Sequence, residues 1–388
     1  MRKSFRRNSK FGLGLLALIV GISFICMIGD SGFLRPALTE AKITKDTIPP
    51  EKIILFNGEN AQVKGAIAVQ QRHHHRLMRL PEVVGTAVGL TEDNLPAILV
   101  LTKKRMDAGV IPENLEGTPV VAKVTGEIFA MQHLPPHRGG KIDPAIGPYQ
   151  RPVPIGVSTG VYARGLNDCL AGTITCRVKD NSGNVYALSN NHVYALENTA
   201  PIGGQNGSLV VQPGLYDTNC VFNSQIVIGQ LANFVPINFN PGTTNQVDAA
   251  IALSSTAELG TATPSDGYGT PSSTTVPASI FQSVQKYGRT TLLTRGTIFG
   301  INATVTVNYG SSGNATFVNQ IVVFSFRHFI GAGDSGSLLV TNDSNANPVG
   351  LVFAGNSSGT YAIANPINAV LNSFGITIDS SSGGVILE

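Results

Sequence analysis

Residues 156–376 repeat one local pattern, and it restricts the fold more than anything else in the chain. Short apolar, β-branched runs alternate with turns of Gly, Asn, Asp, Ser or Pro. Such runs are too short for buried helices and are bounded by the residues that tight turns require. "AGTITCRVKD", "NVYALSN", "SLVVQPG", "QIVIGQLANFV" and "VDAAIALSS" form a first group. A Ser/Thr/Pro/Gly connector without hydrophobic period follows. "SVQKYG", "TRGTIFGINATVTVNYG", "NQIVVFSF", "GSLLVTN", "PVGLVFAG" and "TYAIANPI" form a second group. Only 13% of residues are charged, which suits strands and turns better than helical bundles. The expectation is a mainly β chain with two all-β units, 156–256 and 280–376.

The remaining segments are ancillary. Residues 1–41 read as a signal peptide or membrane anchor: basic residues precede an uncharged run, Phe11 to Gly29. That run is just long enough to span a bilayer, and either outcome places the rest of the chain outside the cytoplasm. Residues 42–131 contain a helix-like stretch ending near Pro81, then "VVGTAVGL", "PAILVLTK" and "TPVVAKVTGEIFA", a small α+β unit. His73, His74 and His75 are adjacent on that helix, and consecutive helical residues point about 100° apart, so the three cannot converge on one metal ion. Residues 132–155 are a Pro-rich linker, and residues 377–388 a loosely held tail. The net charge is +3, with no basic stripe suited to nucleic acid.

Chemistry concentrates in "GAGDSGSLLV", residues 331–340. A second GDSG at residues 29–32 falls at the end of the export segment and is a coincidence. A serine hydroxyl needs a base to take its proton and a carboxylate to orient that base. Developing negative charge needs fixed donors. Ser335 is the candidate nucleophile, with the N–H groups of Gly333 and Ser335 as oxyanion donors. Of the histidines, His192 in "YALSNNHVYA" follows a strand directly and is the candidate base. Asp248, inside the apolar "NQVDAAIALS", is costly to bury without a partner and is the candidate orienter. Asp217 and Asp266 lie in polar loops and are weaker candidates. Outside the export segment three cysteines remain, which suggests one disulfide and one leftover thiol; Cys169 and Cys220, both in Asn/Asp-rich turns, are the favoured pair over combinations with Cys176, which lies in a strand-like run. No spacing suits a zinc site.

"ALSNNHV", "VDAAIAL" and "GAGDSGSLLV" resemble the three catalytic motifs of trypsin-like (chymotrypsin-fold) serine proteases, bacterial-type, in that family's chain order. "VGLVFAG…YAIANPI" and "KYGRTTLLTRGTI" add to the likeness, which covers residues 156–376 and leaves the first 155 uncovered. "NNHV" lacks the cysteine that usually follows the histidine. The resemblance implies a two-barrel protease domain behind the small α+β domain. It implies endopeptidase activity on polypeptides through an acyl-enzyme, with no metal or organic cofactor. It also implies a primary pocket at His328, Phe329, Val352 and Phe353. No acidic residue stands there, so an apolar or small side chain is expected in place of Lys or Arg, with an acidic one favoured if His328 takes part. A second reading is a catalytically silent domain used for binding or as a scaffold. An α/β-hydrolase esterase would place Ser before His among alternating helices. Residues 42–131 then read as a pro-segment, a partner-binding module or a spacer.

Overall fold

The structure, a computed structural model, describes residues 56–130, 145–166 and 169–381. Residues 1–41, expected to direct export and holding the first GDSG, and most of the Pro-rich linker lie outside the described residues. No helix among the described residues is long and apolar enough to cross a membrane.

Helix α1 spans Ala61–Met78. It begins earlier than the apolar pattern, because the Asn60 side chain accepts from the Gln62 and Val63 N–H groups at 3.0 and 3.2 Å and caps the first turn. Its inner face, Val63, Ala66, Val69 and Leu77, packs on apolar residues of strands β1 (Val83–Leu90) and β2 (Pro96–Thr102). Buried Gln70 donates to Thr86 Oγ1 and to the Asn302 carbonyl, while Asn302 Nδ2 donates back to its side-chain oxygen. The histidine tract does not converge. His73 turns to Glu116, and His74 to the Gln71 carbonyl. Arg72, with His73 behind it, holds the Glu116 carboxyl down to about 2.

After β3 (Asn114–Leu115), β4 (Thr118–Val124) and β5 (Ile128–Ala130) come the strands of the two β groups. The first holds β6 (Ser158–Tyr162), β7 (Gly172–Thr173), β8 (Arg177–Asp180) and β9 (Val185–Ser189). The single-turn helix α2 (Asn191–Tyr194) follows, then β10 (Leu209–Val211), β11 (Val227–Phe234) and β12 (Ala250–Ser254). The second holds β13 (Ser283–Gly288), β14 (Leu292–Asn308), β15 (Asn314–Phe324), β16 (Leu338–Thr341), β17 (Pro348–Asn356) and β18 (Tyr361–Pro366). Helix α3 (Ile367–Phe374) and β19 (Ile376–Ile378) close the described chain.

Two sheets result, and the protein is mainly β. One runs β19-β8-β9-β12-β11-β10-β6-β7; the other runs β13-β16-β17-β18-β15-β14-β1-β2-β4-β3, with β5 pairing both β14 and β17. Strand β1 is antiparallel to β14, Gly85 opposite Val305. The α+β unit therefore shares one sheet with the second β group. The connector at residues 255–279 carries no strand.

The tail departs from expectation up to Ser381. β19 pairs with β8, Ile376 opposite Asp180. Asp379 then accepts from Arg177 Nε at 2.9 Å, and both side chains are almost wholly buried. Arg177 also donates to the Leu259 and Ser381 carbonyls. A buried cation with four acceptor atoms, the Ser381 hydroxyl included, fixes a segment that composition alone marks as loose. Asp379→Ala leaves that guanidinium uncompensated and is expected to cost about 3–5 kcal/mol. A denaturant midpoint unchanged from wild type would contradict this role.

Candidate active site

The geometry of the candidate site starts from the register of two neighbouring strands. β9 and β12 are antiparallel with Ser189 opposite Ala250. Three residues past Ser189 the chain coils into α2 and carries His192; two residues before Ala250 stands Asp248. The pairing thus brings His192 and Asp248 to one sheet end. His192 Nδ1 lies 2.6 Å from Asp248 Oδ2, and the His192 N–H donates to Asp248 Oδ1 at 3.2 Å. His192 is 1% exposed and Asp248 0%.

Asp248 is held from both sheets. Tyr309, just beyond β14, donates its hydroxyl to Oδ2 at 2.8 Å. Asn365 in β18 accepts from the Asp248 N–H at 3.0 Å, and Asn190 Nδ2 donates to the Asp248 carbonyl at 2.8 Å. Burial first, and then the Asp248 charge, push the Tyr309 phenol well above its usual pKa, so it remains a donor. A carboxylate with three donors on its two oxygens meets the requirement for burying a charge. With Nδ1 engaged, His192 Nε2 is buried and has no hydrogen-bond partner among the described residues.

Ser335 stands in a turn fixed by its neighbour. Asp334, 0% exposed, accepts from the N–H groups of Thr290, Thr291 and Gly331 and from the Thr291 hydroxyl. Lys286 Nζ, equally buried, lies 3.4 Å from Asp334 Oδ2. Burial pushes the Lys286 pKa down, and Asp334 opposes that shift. The turn is thereby pinned to the β13–β14 hairpin. Thr173 in β7 clamps it from the other sheet: its N–H donates to the Ser335 carbonyl and its hydroxyl to the Gly333 carbonyl, both at 2.8 Å. Gly333 and Gly336 have φ of 96° and 95°, a region that only glycine enters cheaply. At Gly336 a Cβ would also meet the Thr173 carbonyl oxygen at 2.0 Å.

Two features of this turn bear on chemistry. The N–H groups of Gly333 and Ser335 donate to no protein group among the described residues. The Ser335 hydroxyl contacts the Phe353 carbonyl at 3.3 Å, a weak bond. Gly172 links the two halves of the site. A Cβ there would lie 2.6 Å from the Val193 side chain, next to His192, and 3.1 Å from the Ser335 carbonyl oxygen.

The weaker carboxylates lie elsewhere. Asp217 pairs with Arg289, and Asp266 accepts from the Tyr287 hydroxyl. Cys169 and Cys220 form a disulfide, and Cys176 is free and buried. Beside the Ser335 turn is a cavity of about 570 Å³. Of the four residues expected to line the pocket, His328 borders it. Phe329, Val352 and Phe353 are 0% exposed and point into the cores. The walls come instead from Thr290, Ile330, Gly331, Ala332, Asn356 and Ser357, with Asn308, Gly310 and two residues of β5, Phe129 and Ala130.

Tyr309, Asn365, Thr173 and Lys286 escaped the reading of the sequence. Each acts across a long chain separation and carries no local motif. Only Lys286 left a trace, as a charge inside a strand.

No family model matches the chain, and no curated protein matches it. Among solved structures, the chain is similar to a glutamic acid-specific serine protease at 20% identity and a TM-score of 0.40, covering 58% of this chain and all of that one. It is similar to protease A of Thermobifida fusca at 20% identity and a TM-score of 0.40, covering 59% of this chain and 98% of that one. Nocardiopsis protease matches at 20% identity and a TM-score of 0.38, covering 58% and 97%.

Proposed function

We propose that this protein is an exported serine endopeptidase working through a Ser335–His192–Asp248 triad and an acyl-enzyme. The observation that carries the reading is the buried His192–Asp248 pair, whose remaining ring nitrogen is unpartnered. A histidine that served only packing would be costly in that state. In the proposed reaction His192 Nε2 takes the Ser335 proton as Oγ attacks the substrate carbonyl. Asp248 keeps the Nδ1–H tautomer and stabilises the imidazolium. The Gly333 and Ser335 N–H groups receive the developing oxyanion. His192 then returns the proton to the leaving amine, and water hydrolyses the ester by the same relay. All the chemistry assigned to the triad is proton transfer and acyl transfer by side chains. The uncharged run at residues 11–29 is the proposed means of export or attachment.

The test is a pre-steady-state burst on a short activated ester. An acyl-enzyme gives close to one equivalent of released alcohol per protein before steady turnover. Absence of both burst and turnover in folded protein would favour the silent scaffold reading.

The cavity lining contains no carboxylate among the described residues, and its one titratable side chain is His328. Cleavage after Lys or Arg is therefore disfavoured, since nothing there would neutralise a cation. Cleavage-site profiling of a peptide library is expected to show depletion of Lys and Arg before the cut bond. Enrichment of either would contradict this use of the cavity.

A further inference from the structure

Strand β5 occupies a specific place relative to Ser335. β18 takes one edge of β17, from Gly350 to Gly355. Along the other edge, β16 pairs with residues 348–351. The Ser335 turn follows: Gly336 N–H donates to the Val352 carbonyl, and Val352 N–H to Ser337. Ser335 Oγ then contacts the Phe353 carbonyl. The next positions on that edge belong to β5, with Ala130 opposite Ala354, Phe129 opposite Gly355 and Ile128 opposite Asn356.

The direction of β5 matters as much as its place. It is antiparallel to β17, so its N-to-C direction runs toward Phe353 and the nucleophile. An extended peptide lying on this edge in that direction presents its next carbonyl to Ser335, with its acyl portion on β17. Backbone pairing to an open sheet edge is a general way to hold a peptide. Here the edge is filled from within the chain. Phe129 and Ala130 also wall the cavity beside Gly331 and Ala332. Two anchors hold the approach to β5: Asn356 Nδ2 donates to the Thr125 carbonyl at 2.7 Å, and Glu127 accepts from Lys103 and Asn308, each at 3.2 Å.

We infer that Ile128–Ala130 is a built-in autoinhibitory strand, occupying the β17 edge on which the acyl side of an extended polypeptide substrate docks. The inference rests on the proposed protease function and adds its control. His192 and Asp248 are paired while the docking edge is closed, so small reagents that need no strand pairing react at full rate and long peptides only slowly.

The experiment uses the full chain and two substrates, a short activated ester and an extended fluorogenic peptide. Phe129→Pro removes an N–H and a favourable strand residue from β5; Phe129→Gly weakens the strand more gently. Phe129→Pro is expected to raise kcat/KM for the peptide at least tenfold, and Phe129→Gly by less. Phe129 also walls the cavity, so ester turnover is measured beside peptide turnover in each variant, and the peptide-to-ester ratio of kcat/KM is the quantity that should rise, at least tenfold in Phe129→Pro. If both variants fold and that ratio remains at the wild-type value, β5 is not the block. Should Phe129→Pro fail to fold, Phe129→Gly decides alone by the same criterion. Loss of ester turnover and of covalent labelling in every version, wild type included, would remove the protease reading and this inference with it.

Discussion

Ser335→Ala is expected to lower ester turnover by a factor on the order of 10⁶, the scale at which a triad serine is lost, while leaving stability nearly unchanged. The rate effect follows from losing the atom that forms the acyl bond. The small stability effect follows from what the hydroxyl touches. Its one hydrogen bond among the described residues, to the Phe353 carbonyl at 3.3 Å, is weak. The turn is held by the Ser335 carbonyl on Thr173 and by Asp334, and neither changes in the variant. His192→Ala should fall to a similar level, and the double variant should be little worse than either single one. Groups acting as one unit lose their joint effect once. Additive losses in the double variant would mean that the two residues act independently.

Asp248→Asn should cost about 10⁴ in kcat, the scale seen for the carboxylate of the chymotrypsin template. The geometry gives the reason. Oδ2 receives His192 Nδ1 and the Tyr309 hydroxyl, and Oδ1 receives the His192 N–H. An amide can keep only one oxygen. If its NH₂ replaces Oδ2, it faces the ring and drives the proton onto Nε2, where the base is needed free. If its NH₂ replaces Oδ1, it confronts a backbone donor instead. Either orientation sets donor against donor in a site that is 0% exposed, where an unmade hydrogen bond is expensive. Kinetics of Asp248→Asn beside Tyr309→Phe separate tautomer control from simple solvation. Tyr309→Phe removes one donor and leaves the carboxylate, so its loss should be smaller by orders of magnitude. Equal losses would show that the carboxylate acts only as part of a polar network.

Much of this arrangement could be read from the chain before any fold was known. The run "VVGTAVGL" is strand β1, Val83–Leu90, and "TRGTIFGINATVTVNYG" covers all but the first two residues of the long β14. In both, β-branched residues between turn signals act locally. His192 and Asp248 were legible because a polar residue at the end of an apolar strand needs a reason. What the sequence hid is non-local. Nothing near Asp379 announces that Arg177 waits 202 residues away. Nothing in "TPVVAKVTGEIFA" says that its last residues leave β4's neighbours to join β17. The one local hint is Gly126, with φ of 81°, which turns the chain between β4 and β5. The family resemblance implies a pocket at Phe329, Val352 and Phe353, and the fold does not put them there. In β17, alternation sends the Val352 and Phe353 side chains into two different cores, while Phe329, outside any strand, is buried in the same core as Val352.

The central claim is that His192 activates Ser335. Labelling with a fluorophosphonate, read by peptide mass mapping, tests it most directly, because the reagent needs an activated hydroxyl and no strand pairing. The account predicts one adduct on wild-type protein, on Ser335, and at least a thousandfold slower labelling of His192→Ala. Folded wild-type protein that stays unlabelled, or His192→Ala protein that labels at the wild-type rate, would contradict it.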